Sequence, residues 1–200
     1  MNRWVILSEV PEVGDPETEI AARTAAAAAA PGVWHCSAGI DLPGSTGGLG
    51  MAWDLTGDTD PAVALPDLPG RVDAVRLTPI ASHLEPLPEP QRVKRTLLLT
   101  VRSGTPDEVV EQFESDLMAM PTHIAAIQSR SLSRITGDSR WTHAWEQEFA
   151  DVDGLNGDYL LHPYHWTHVD RWFDPEIPTS IVKPDIAHLY RLAATPVLGA

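Results

Sequence analysis

Two stretches of this chain present the same order of strand-like and helix-like segments, one after the other. In the first, Trp4 to Ser8 reads as a strand. Asp15-Pro16-Glu17 then sets an N-cap residue before a proline at the first helical position, opening a helix that runs toward Pro31-Gly32. Ala25 to Ala30 form its last part, expected as a tightly packed small-residue face. Val33 to Ile40 and Leu49 to Leu55 read as strands joined by a Gly- and Ser-rich loop, and Val72 to Ile80 as a fourth. In the second stretch Lys94 to Arg102 is a strand, and Thr105-Pro106-Asp107-Glu108 reads as a capping box. Val109, Phe113, Leu117 and Met120 mark the buried face of the helix that follows, with Pro121 expected to end it. Strands are expected within Ile124 to Ile135, in Trp141 to Phe149 and within Val182 to Leu192.

Short matches tie the two stretches together. Met51-Ala52-Trp53 parallels His143-Ala144-Trp145, and Asp73 and Asp185 both fall at the last strand. The offset between the stretches grows by roughly twenty residues before that strand, which reads as an insertion. The insertion contains Tyr159 to Phe173, with short helices expected over 152–159 and 163–172. Pro86-Leu87-Pro88-Glu89-Pro90 reads as a stiff connector. The expected organisation is a first half over 1–84, a linker over 85–92, a second half over 93–192 and a tail over 193–200.

Composition excludes several classes of function. The chain has 200 residues, 43% of them apolar and 21% charged, enough to bury a core without disulfide or metal. The 28 acidic residues against 14 basic ones give a net charge of −14. That balance repels nucleic acid and anionic membrane surfaces. No apolar run approaches the ~18 residues of a membrane span. The lone Cys36 reads as a small buried hydrophobe and fits a reducing compartment, so the cytoplasm is the expected location.

Candidate chemistry gathers in the second half. Of the 8 histidines, four lie between His143 and His168, and of the 7 tryptophans, four lie between Trp141 and Trp172. Lys94 onward, with Gly157-Asp158-Tyr159-Leu160-Leu161-His162-Pro163-Tyr164-His165, resembles the stress-responsive A/B barrel domain (Dabb) family. The resemblance rests on the His-Pro-x-His segment and covers about the second hundred residues. It implies an α+β fold: tandem ferredoxin-like modules whose sheets form a dimeric α+β barrel, here a pseudo-dimer within one chain. A fused pair needs no second copy to close the barrel, so both a monomer and a homodimer are expected states.

The resemblance also implies residues. A plant cyclase of the family closes a polyketide by aldol chemistry without a cofactor, through a tyrosine and a histidine that map to Tyr159 and His165. A third-strand histidine of the family's pocket maps to His143. A first-strand pocket histidine has no counterpart here, because Arg95 stands in its place. The chemistry is sound on its own terms. A neutral imidazole takes a proton from a carbon between two carbonyls, and a protonated phenol donates to the developing enolate. Trp145, Phe149, Trp166 and Trp172 are expected as an aromatic wall, with His162 and Arg95 as further substrate contacts.

The expected activity is thus a cofactor-independent cyclase or related lyase on a polyketide-like or aromatic molecule, with no resident cofactor and no metal. Two alternatives stand beside it. One is a non-catalytic protein that holds a small hydrophobic ligand, in which His162 satisfies backbone groups and Tyr159 is a core residue. The other is a haem- or metal-binding barrel. His162, His165 and His168 recur every third residue, a spacing that turns the outer two apart on a helix.

Overall fold

The computed structural model describes residues 2–85 and 91–199, so the expected stiff connector, Pro86 to Pro90, lies outside the described residues. The first half runs β1 (Asn2–Glu9), α1 (Pro16–Ala28), β2 (Val33–Ile40), β3 (Gly50–Gly57), α2 (Pro61–Ala64) and β4 (Val72–His83). The second runs β5 (Arg92–Leu99), α3 (Asp107–His123), β6 (Arg130–Thr136), β7 (His143–Phe149) and β8 (Ala187–Ala193). All eight strands form one sheet in the order β2-β3-β1-β4-β6-β7-β5-β8, and every neighbouring pair is antiparallel. Each half is therefore a ferredoxin-like α+β unit, and β4 against β6 welds the halves together.

Register makes the halves superimposable. Val5 lies opposite Asp54 and Val75, while Thr96 lies opposite Glu146 and Leu189, so Asp54 and Glu146 are equivalent positions. Ile6 faces Trp53 and Leu97 faces Trp145, so the parallel of Met51-Ala52-Trp53 with His143-Ala144-Trp145 holds residue by residue. Asp73 faces Leu7 and its equivalent is Ala187, which faces Leu98, so Asp185 is not its match.

The remaining seam, β8 against β2, closes less regularly. The loop after β2 does part of the pairing. Leu42 N donates to Tyr190 O at 2.7 Å, Thr46 N to His188 O at 2.9 Å, and His188 N to Thr46 O at 2.8 Å. Gly47 adopts φ 71° there, and a Cβ on it would lie 1.9 Å from Ile186 O. Only glycine fits so close a crossing. The Gly- and Ser-rich loop thus joins two strands, as expected, and also completes the barrel.

Alternation along the strands separates two interiors. Inside the barrel, Val5, Leu7, Ala52, Val75, Leu77, Leu98, Ala144 and Leu189 pack at one end. At the other end lies a buried charge cluster with the same two-fold character. Arg3 and Lys94 occupy equivalent positions, and each bonds both Asp54 and Glu146. Arg191 adds a bond to Asp54 at 2.7 Å. Burial opposes ionisation of both carboxyls, but the cations around them outweigh it and hold both below the usual range. Glu148 accepts from the amides of Val197 and Leu198, which tucks the C-terminal residues into that end. Outside the barrel, α1 and α2 cover the strands of the first half, while α3 and the segment after β7 cover those of the second.

Several local expectations change. The alanine run is mostly exposed, with only Ala27 fully buried, so alanine serves helix propensity there rather than packing. The capping box does not form. Pro106 is the cap residue of α3, and the Thr105 hydroxyl turns back to Arg102 O at 2.7 Å. Pro121 lies inside the last turn, and α3 continues to His123. The Asp15 cap does form, accepting from Thr18 N at 3.0 Å. The segment after β7 makes two wide π-type turns, Gly154–Tyr159 and His165–Val169, then a 3₁₀ turn Asp170–Trp172, in place of two short α-helices. Such turns re-aim side chains relative to an α-helix and recur at functional sites.

Candidate functional site

The wide turns lay Tyr159 and His165 over the outer face of β5, β7 and β8. A cavity of about 200 Å³ remains beneath them, lined by Arg95 and Leu97 of β5, Trp145 of β7, His188 of β8 and the two overlying residues. Leu117 of α3 and Val169, Asp170, Phe173 and Ile186 complete its apolar wall and rim. The π-type turns matter here. Tyr159 and His165 are six positions apart, yet their rings meet edge to face with centroids 4.9 Å apart.

Tyr159 is almost fully buried. Its ring meets Phe149 edge-on at 5.4 Å and carries the Arg95 guanidinium 5.0 Å from its centroid. Burial pushes its phenol up to about 12, only partly offset by Arg95, so the hydroxyl stays protonated. Burial, and then the Arg95 charge, pull the His165 imidazole down to about 4, so it is neutral at physiological pH. His165 Nδ1 lies 3.4 Å from Asp170 Oδ1, but their alignment leaves Nδ1 without a hydrogen bond. Burial raises the Asp170 carboxyl, with Asp174 adding to it.

Arg95 anchors a linked polar floor whose other members, Gln147, His188 and Tyr190, sequence reasoning missed. Arg95 Nε donates to His188 Nε2 at 2.7 Å, and a terminal Arg95 nitrogen donates to Gln147 Oε1 at 2.7 Å. The Tyr190 hydroxyl lies 3.0 Å from His188 Nε2. Burial first, then Arg95 and His165, depress His188 to about 2, so it too is neutral and accepts from arginine. His188 and Tyr190 share a strand face with Ile186, a period-two signal that the sequence contains.

Of the expected site residues, the cavity gathers Tyr159, His165, Trp145 and Arg95. The others lie elsewhere. His143 is buried on the same strand face but nearer the N-terminus of α3. Its Nε2 meets Glu114 at 3.0 Å, and Phe113 packs edge-on against its ring. Phe149 backs Tyr159 without reaching the cavity. Trp172 donates its indole N–H to Asp116 at 2.9 Å and packs on Phe113. Trp166, expected in the wall, is half-exposed and donates to Leu160 O at 2.9 Å, because the second wide turn points it outward. His162 accepts from Tyr164 N at 3.1 Å, the backbone role that proline after it favours. His168 stacks outside on Tyr164 at 4.3 Å. Cys36 is buried, and burial lifts its thiol to about 12, so it is no nucleophile.

Among the described residues, no three His, Cys, Asp or Glu side chains converge on one point. Among the same residues, no helix is long and apolar enough to cross a membrane. The first half has a dent of about 380 Å³ in the equivalent place, lined by Trp4, Ile6, Leu65, Leu68 and Ala74 among others. It is larger, and its lining holds the carboxylates Asp60 and Asp67 but no histidine, tyrosine or arginine. Trp4 takes the place of Arg95 and Ala74 that of His188.

Comparison with known proteins agrees with this division. The chain resembles a solved structure of a putative monooxygenase from Fusobacterium nucleatum at 11% identity, covering 97% of this chain and 92% of that one, with a TM-score of 0.66. A putative monooxygenase from Lactobacillus acidophilus matches at 8% identity over 97% and 94%, TM-score 0.63. An anthrone oxidase-like protein matches at 9% identity over 100% and 95%, TM-score 0.63. At such identities these likenesses speak for the fold alone. No curated protein matches the chain. The model of the Stress responsive A/B Barrel Domain matches residues 93–183, the segment that runs from β5 through the wide turns. The segment that matches the stress-responsive A/B barrel domain is thus the second half of the tandem α+β barrel.

Proposed function

We propose that the second-half cavity binds a small aromatic molecule and performs cofactor-independent enolate chemistry on it, of the kind an aldol cyclase or related lyase uses. The observation that carries this reading is the pairing of a neutral imidazole and a protonated phenol, edge to face, over one cavity. His165 would take a proton from a carbon flanked by carbonyls. Tyr159 would donate to the oxygen on which negative charge develops. Arg95, buried below, would favour that charge at the floor of the cavity. A polyketide of many carbons does not suit a space of about 200 Å³, since ~150 Å³ already holds benzene. A single ring with short substituents does.

The test needs no native substrate. Deuterium exchange at the acidic carbon of benzoylacetone, followed by proton NMR in D₂O, reads proton abstraction directly. Wild-type protein should accelerate it, and His165→Ala and Tyr159→Phe should each lose about a hundredfold or more of that acceleration. Equal rates in all three proteins would leave only a ligand-holding role. The names of the neighbouring structures raise one further outcome. An enolate that meets dioxygen is oxygenated rather than cyclised, and an oxygen electrode in the same assay separates the two.

A further inference from the structure

Arg95 is 2% exposed, yet among the described residues no carboxylate lies within 4.0 Å of it. That sets it apart from the other deeply buried cations of the chain. Arg3, Lys94 and Arg191 all meet Asp54 or Glu146 inside the barrel. A buried guanidinium without a counter-charge is costly, and proteins rarely keep one idle. Its partners are a neutral histidine and an amide, which take two of its five N–H groups and none of its charge. The Tyr159 ring over its face and the bonds to His188 and Gln147 fix the plane of the group, so it is rigid before any ligand arrives. Among the described residues, Asp170 is the only carboxylate lining the cavity, and it sits beside His165 rather than Arg95.

We infer that the missing partner is the ligand: the cavity takes an aromatic carboxylate whose carboxyl group meets Arg95 and whose ring lies against Trp145 and Tyr159. A planar guanidinium recognises a carboxylate in a way that a point charge or a neutral group does not. The cavity of about 200 Å³ limits the ring system to one. The first-half dent shows the contrast, since Trp4 in the equivalent place offers no charge.

The inference deepens the proposed function and rests on the same cavity, but binding is read without turnover. Isothermal titration of the full chain near neutral pH would compare benzoate, 4-hydroxybenzoate and phenylacetate with their amides. At least one acid should bind about tenfold more tightly than its amide, and Arg95→Gln should abolish that preference. Arg95→Lys should restore part of it. A wild-type protein that prefers the acids yet exchanges no proton of benzoylacetone would separate this result from failure of the catalytic reading. A thermal melt by circular dichroism checks each variant. If Arg95→Gln fails to fold, the acid-to-amide comparison on wild type, repeated at high salt where the preference should shrink, decides alone. Equal binding of acids and amides, no binding of any probe at millimolar concentration, or a preference that survives Arg95→Gln would overturn the inference.

Discussion

The basicity of His165 is set by its surroundings. Burial and the Arg95 charge hold its pKa near 4, so the imidazole stays neutral far below the usual histidine range. A base acts only when unprotonated. Exchange or turnover should therefore stay level as pH falls from 8 through 6.5 and drop only near 4, where an ordinary histidine would already have been silenced. A pH-rate profile with an acid limb at about 6.5 would contradict this. The same shift has a stability consequence of definite sign. Between the unfolded and folded values of His165 and His188, the unfolded chain binds protons that the folded one refuses. Stability is then lost as pH drops below 6.5, and a melting temperature measured at pH 7 and pH 5 should fall on acidification.

At the scale of elements, the loop after β2 is the part most open to a decisive change. Gly47→Ala places a Cβ 1.9 Å from Ile186 O at a left-handed position, so the loop must leave the edge of β8. Faster amide exchange at Thr46 and His188 than in wild type, with β4 and β6 still protected, would locate the damage at that seam. Much of the element order is legible from sequence because strands announce themselves by apolar runs and helices by Asp15-Pro16 or the Val109, Phe113, Leu117 spacing. Tyr159 and His165 were legible only through a motif. Their convergence depends on wide turns that no periodicity reveals, and those same turns carry Trp166 outward. His143 and Trp172 read as pocket residues because aromatic and histidine content tells nothing of direction. Each is instead tied down by an acidic side chain of α3.

The whole molecule is organised around its buried charges. Glu146 neutralises Arg3 from one half and Lys94 from the other, so it joins the two halves inside the barrel. Glu146→Ala leaves both cations facing Asp54 alone and should cost about 3–5 kcal/mol, read by urea titration. A cost under ~1 kcal/mol would mean that water enters the barrel and replaces the carboxylate. The joining of β4 to β6 within one polypeptide has a consequence of another kind. A barrel assembled from separate subunits comes apart on dilution, whereas here each half meets the other at a local concentration that no dilution changes. Each half is also released from mirroring its twin. A substitution such as Trp4 against Arg95 is made once, on one wall, and one face of the barrel can keep its chemistry while the other loses it.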